Sequence, residues 1–188
     1  MRPTVLFVCV ANICRSPVAE RLFELRLADA GFPGAIEVAS AGVRALEGRE
    51  MAPESLRTLT ERGAATGSFG ARLCSTEMLA HADLVLTATR GIRSSMLAET
   101  PQALRRSFTI TEFVALSEHV QAQAPVADLA ALIAGCAQIR GSVPVAEYDV
   151  ADPYGRSAAH FDTAAEQIDA AVARIAAVLG PLAVSATA

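Results

Sequence analysis

A chain of 188 residues with 52% hydrophobic and 19% charged residues has the size of one domain and enough apolar surface for a single core. Its net charge of −4, with sixteen basic residues that are all arginine and scattered along the chain, leaves no electrostatic footprint for nucleic acid or anionic lipid. No run approaches the roughly 18 uninterrupted apolar residues of a spanning helix, so no membrane insertion is expected.

Met1-Arg2-Pro3 followed by Thr4-Val5-Leu6-Phe7-Val8 has a superficial look of a signal peptide. Its apolar part is too short, and the polar stretch Asn12-Ile13-Cys14-Arg15-Ser16 follows at once. Residues 4–9 read instead as a fully buried strand, residues 10–16 as a polar loop, and Pro17 as a helix opener. Val18, Leu22 and Leu25 mark the face of that helix, which stops at Ala30-Gly31. A second strand covers Ile36-Glu37-Val38-Ala39, and a second helix runs from Pro53 to Gly63. Asp83-Leu84-Val85-Leu86-Thr87 is a third strand and Phe108-Thr109-Ile110 a fourth, with a helix over about 90–105 between them. Residues 111–140 hold one or two alanine-rich helices interrupted at Pro125. Residues 125–140 are amphipathic and read as extra covering for the core. The last helix spans about 159–179, with Phe161, Ile168, Val172, Ile175 and Val178 on one face. Alternating strands and helices predict a three-layer α/β/α fold around a four-stranded parallel sheet, in one domain over 1–188. Such folds bind ligands beyond the carboxyl ends of their strands, where the 10–16 loop lies.

Four cysteines, Cys9, Cys14, Cys74 and Cys136, could form a disulfide framework by count alone. In a chain this long and apolar, reduced thiols in the cytoplasm are expected, secretion without a signal peptide remaining open. Cys74 and Cys136 read as small buried hydrophobes. His81, His119 and His160 have no metal-ligand spacing with the cysteines, and neither metal nor cofactor is expected.

The chemistry concentrates in Cys9-Val10-Ala11-Asn12-Ile13-Cys14-Arg15-Ser16-Pro17. A short loop entering a helix can turn successive backbone N–H groups inward as an anion nest, and the helix adds the positive end of its macrodipole. A cysteine in that nest is expected as thiolate. Six residues on, Arg15 can fold back and grip two oxygens of an oxyanion with its planar fork, while Ser16 donates a hydroxyl hydrogen bond to the sulfur. Together these groups describe a nucleophilic phosphate site. Cys-x5-Arg alone is weak evidence; preceded by an apolar strand and extended to Cys-x5-Arg-Ser-Pro before a helix, it is strong.

The stretch from Val5 to Glu20 resembles the N-terminal signature of low-molecular-weight protein tyrosine phosphatases, which keep their phosphate loop first and their general acid near the end of the chain. The resemblance implies Cys9 as nucleophile, Arg15 as phosphate clamp, and Val10, Ala11, Asn12, Ile13, Cys14 and Ser16 as the loop around the phosphate. Asp149-Val150-Ala151-Asp152-Pro153-Tyr154-Gly155 is similar to the family's Asp-Pro-Tyr loop. That maps the general acid to Asp152, with Asp149 as fallback, and puts Tyr154 on the pocket rim. By composition alone the same residues are a turn. Ser40-Ala41-Gly42 resembles the segment whose serine bonds the loop asparagine, implying Asn12 and Ser40 as supports of a left-handed loop residue.

The implied reaction is hydrolysis of phosphotyrosine and small aryl phosphates through a cysteinyl-phosphate. The implied partner is a phosphotyrosine protein, a bacterial tyrosine kinase among the candidates, for a monomer or weak dimer. Arsenate reductases of the same fold pass electrons through a close downstream cysteine pair, which Cys74 and Cys136 do not form. Arginine phosphatases carry threonine where this chain has Ile13, whose apolar side chain is expected to pack against a tyrosine ring. A non-catalytic phosphate-binding module is the third alternative. Cys14 is either a redox partner that shields Cys9 as a reversible disulfide or a small residue packed under the loop. Three departures stand out. Ala11 replaces a common glycine, Thr87-Ala88-Thr89-Arg90-Gly91 replaces an aspartate-containing stretch, and a helical insertion is expected around 113–147.

Overall fold

The computed structural model describes residues 2–185 and contains the expected parallel sheet between two helical layers. Its strands are β1 (Thr4–Cys9), β2 (Glu37–Gly42), β3 (Leu84–Thr87) and β4 (Ser107–Thr109), in the spatial order β2-β1-β3-β4. The helices are α1 (Arg15–Asp29), α2 (Pro53–Glu61), α3 (Thr76–His81), α4 (Arg90–Glu99), α5 (Ile110–Gln123), α6 (Leu129–Gln138) and α7 (Ala158–Ser185).

Side chains alternate across the sheet. Val5, Phe7, Leu84, Leu86 and Phe108 enter a large core shared with α1, α5, α6 and α7. There the Phe7 and Phe23 rings meet edge to face at 5.6 Å. Leu6, Val8 and Val85 face the other way, under Leu79 of α3 and Ile92 and Met96 of α4. Both faces being covered explains the near-continuous apolar strands.

The departures from expectation have local causes. Helix α1 begins at Arg15, and Pro17 is its third residue, still in the turn where a missing N–H costs nothing. Strand β2 reaches Gly42, three residues further than expected. The helix expected over 90–105 ends at Glu99 and gives way to a 3₁₀ turn, Pro101–Arg106, because Pro101 cannot extend the hydrogen-bond ladder. Strand β4 stops at Thr109, whose side chain and Glu112 form a reciprocal capping box that starts α5. Helix α3 was not expected; six residues capped by Ser75 are too few to show a period. Residues 113–147 hold most of α5, a break around Pro125, and α6, which buries Leu132, Ile133 and Cys136.

Helix α7 runs six residues beyond the expected stop, through Gly180 and Pro181. At Gly180 a Cβ would lie 2.3 Å from the Phe32 ring, so the glycine marks a close contact, not a helix end. The helix is long and apolar enough to cross a membrane by length and composition. Half of that apolar window is buried inside the protein, against α1, α2 and α5.

Candidate active site

The 10–16 loop leaves the carboxyl end of β1 and runs into the first turn of α1. Asn12 has φ of 57°, and it is the sole non-glycine among the described residues with positive φ. The left-handed turn therefore falls on asparagine, which tolerates it, and Ala11 carries no such strain. The backbone N–H of Asn12 donates to Cys9 Sγ at 3.3 Å. Ser16 Oγ lies 2.9 Å from the same sulfur and 3.1 Å from the Ala41 carbonyl, its single hydrogen serving one at a time. Among the described residues, the backbone N–H groups of Ala11, Ile13, Cys14 and Arg15 donate to no protein acceptor, as a nest awaiting an anion requires.

Asn12 is fully buried and saturated by its surroundings. Its Nδ2 donates to Ser16 Oγ (2.9 Å) and Ser40 Oγ (3.0 Å), and its Oδ1 accepts the Arg72 backbone N–H (2.9 Å). Arg72 Nε donates to the Ser40 carbonyl, and the Arg72 carbonyl accepts the Gly42 N–H. Gly42 has its own necessity: a Cβ there would sit 2.4 Å from the Val10 carbonyl oxygen and 2.9 Å from the Asn12 nitrogen. Behind this brace lies Glu20, 5% exposed, whose carboxyl is held above its ordinary value chiefly by burial, with the nearby Ser40 hydroxyl and the charges of Arg21 and Arg72 opposing. Sequence reading missed Gly42, Arg72 and Glu20 as members of the site.

Arg15 is 4% exposed. Its Nη1 donates to the Val150 carbonyl at 3.0 Å, its Nη2 meets Asp152 Oδ2 at 2.5 Å, and its buried Nε has no partner. Residues 137 positions apart are thus brought together over Cys9's loop. Asp152 is half exposed and also accepts the Tyr154 N–H, while Tyr154 itself is 58% exposed beside it. Asp149 lies apart from that contact: its Oδ1 accepts the Arg90 N–H at 2.8 Å, at the start of α4. Arg90 also stacks over the Tyr148 ring at 4.6 Å, and Val150 N–H donates to the Ala88 carbonyl. The altered stretch after β3 therefore anchors the loop that carries Asp152.

Ile13 corrects an expectation. Its side chain is 4% exposed and packs with Cys14, Ala71 and Phe161, so it offers a ligand its backbone N–H and almost no apolar surface. Cys14 is buried beside it, its thiol pushed up to about 11 mainly by burial, with the neighbouring Ser55 hydroxyl opposing. Burial likewise raises Cys74 to about 11 and Cys136 to about 12. All four cysteines are free thiols. No cluster of three or more His, Cys, Asp or Glu among the described residues is placed to hold a metal ion.

Residues 4–140 match the family model described as low molecular weight phosphotyrosine protein phosphatase. A protein-arginine-phosphatase of Geobacillus stearothermophilus is 36% identical over 110 residues, 58% of this chain and 70% of that one. EpsP of Ralstonia nicotianae, named among the low molecular weight protein-tyrosine-phosphatases, is 26% identical over 95% of this chain and 99% of its own. The crystal structure of a low molecular weight protein tyrosine phosphatase from T. tengcongensis superposes with a TM-score of 0.71. It is 30% identical and covers 92% of this chain and 97% of its own.

Proposed function

This chain belongs to the low molecular weight phosphotyrosine protein phosphatase family, and we propose that it hydrolyses phosphotyrosine on proteins through a cysteinyl-phosphate on Cys9. The observation that carries the reading is the meeting of Arg15 and Asp152 over the Cys9 loop, with Arg15 Nε buried and unpartnered. A phosphoryl group seated on the loop N–H groups would take Nε and Nη2 together as a bidentate pair. Asp152 must then release Nη2, which frees its carboxyl to face the leaving oxygen.

In the first step the sulfur of Cys9 forms a bond to phosphorus as the ester P–O bond breaks, and Asp152 gives its proton to the departing phenolate. Arg15 and the loop amides hold the equatorial oxygens throughout. In the second step water attacks phosphorus, its proton passes to the Asp152 carboxylate, and the S–P bond breaks to return the thiolate and inorganic phosphate. Ser16, within reach of the sulfur, stabilises it as attacking and as leaving group.

Phosphoarginine is the second reading, favoured by the arginine-phosphatase relative and by the burial of Ile13, which removes the apolar wall expected for a tyrosine ring. Tyr154 supports phosphotyrosine as the exposed aromatic at the rim. Parallel assays on phosphotyrosine and phosphoarginine peptides decide between them, with faster turnover of phosphotyrosine expected and the reverse order overturning it. The physiological partner on this reading is a tyrosine-phosphorylated protein, a bacterial tyrosine kinase being one candidate. A protective Cys9–Cys14 disulfide remains a proposal of the same kind; equal recovery of wild type and Cys14→Ala after peroxide would remove it.

A further inference from the structure

A cavity of about 880 Å³ lies at the amino end of the strands, opposite the Cys9 loop. Pro3 and Asp83, just ahead of β1 and β3, line it, whereas Cys9 closes β1 about 20 Å away along six residues of strand. The volume falls within the roughly 300–1,000 Å³ of small-molecule sites. Its apolar surface comes from Leu129, Ile133 and Ala134 of α6, Leu182 of α7 and Leu104, which is 49% exposed.

Four arginines stand around that surface against two aspartates. Arg106 and Arg140 spend their Nη groups on carbonyl oxygens of Leu79, Leu104 and Ser107, which satisfy hydrogen bonds and leave the positive charge in place. The Nε of each is buried without a hydrogen-bond partner. Arg2 likewise donates to a carbonyl, that of Gly34, and the Arg105 side chain has no protein partner among the described residues. The aspartates are committed locally, Asp83 to the Thr4 N–H and Asp128 to the first turn of α6. Glu112, 3.7 Å from Arg140 Nε, is already paired with Arg93. In a chain of net charge −4 this is a local excess of positive charge over an apolar floor.

We propose that the cavity is a binding site for a single-chain amphipathic anion, an aliphatic chain ending in a carboxylate. The chain lies on the α6 and α7 side chains and the carboxylate meets Arg105, whose exposed fork suits a planar two-oxygen group, while Arg106 and Arg140, their Nη groups held by backbone carbonyls, add only their charge. A neutral chain wastes the arginines, and a bare inorganic anion wastes the floor.

Calorimetric titration of the full chain with decanoate tests this beside decanol, acetate and inorganic phosphate. One decanoate per chain is expected, with decanol and acetate at least about tenfold weaker and no displacement by phosphate. Arg105→Glu and Ala134→Glu, both at exposed positions, should each weaken decanoate about tenfold while leaving hydrolysis of p-nitrophenyl phosphate unchanged. Decanol binding as tightly as decanoate, unchanged affinity in both variants, or competition by phosphate would each overturn the proposal.

Discussion

The two loops that meet over Cys9 are held in different ways. The Cys9 loop is buried and braced from behind, with Asn12 saturated by Ser16, Ser40 and Arg72, and Gly42 pressed against its backbone. The loop carrying Asp152 rests on the surface, tied by the Val150–Ala88 hydrogen bond, the Asp149–Arg90 contact and the Arg15 pair. Division of labour follows. A nucleophile needs a fixed nest, since its oxyanion donors must be in place before charge develops. On the proposed mechanism Asp152 must leave Arg15 when phosphate arrives, and few exposed contacts give it that freedom.

Substitutions break this contrast at different depths. Cys9→Ser should cost the most, a loss of aryl phosphate hydrolysis on the order of 10⁴-fold or more, with the circular dichroism of the folded chain retained. Asp152→Asn should lower kcat by about 10²–10⁴-fold. A series of aryl phosphates would reveal its role: the loss should shrink as the leaving phenolate becomes more stable, and a uniform loss would contradict proton donation.

Gly42→Ala probes the brace. The new methyl cannot avoid the Val10 carbonyl and the Asn12 nitrogen, so unfolding free energy should fall by about 1–3 kcal/mol in denaturant titrations, activity falling with it. Asp149→Ala probes the other loop, and the pattern should invert. Thermal stability should stay within about 0.5 kcal/mol of wild type. Loss of the Arg90 anchor should lower kcat roughly tenfold, inside the ceiling of about 10²-fold for an ångström of misplacement. If Asp149→Ala destabilised the protein as much as Gly42→Ala, the contrast between the loops would be wrong.

The smallest effect concerns Glu20. Burial raises its carboxyl in the folded state, so the folded chain holds that proton more tightly than the unfolded chain. The cost is absent below the ordinary carboxyl value, grows as pH rises from there to the raised folded value, and is constant above. Glu20→Gln should therefore melt above wild type at neutral pH, the gap closing as the solution is acidified. A gap independent of pH would remove the titration as its cause.

Much of this was legible in the chain. The alternation of short apolar strands with helices predicted the layered sheet, and Cys9 to Pro17 is one contiguous phrase whose chemistry can be read residue by residue. Asp152 was legible through family resemblance alone, because Asp-Pro-Tyr-Gly is also an ordinary turn. Gly42, Arg72 and Glu20 gave no signal of their own: their service to the loop arises from contacts made across the fold, and a glycine or arginine in isolation does not announce its neighbour. Ile13 was misread for a related reason. An apolar residue beside a nucleophile suggests a pocket wall, but the left-handed turn at Asn12 precedes it and its side chain joins Phe161 beneath the loop.

Helix α7 has a mechanical consequence. Its 28 residues make a strut of about 42 Å. Phe161, near one end, is a footing for the Ile13 and Cys14 side chains, and Leu182, near the other, is part of the wall of the arginine-rimmed cavity. Leu182, however, lies past Pro181, which has no N–H to give the hydrogen-bond ladder, so the stiff part of the strut under the Cys9 loop ends just short of the cavity wall.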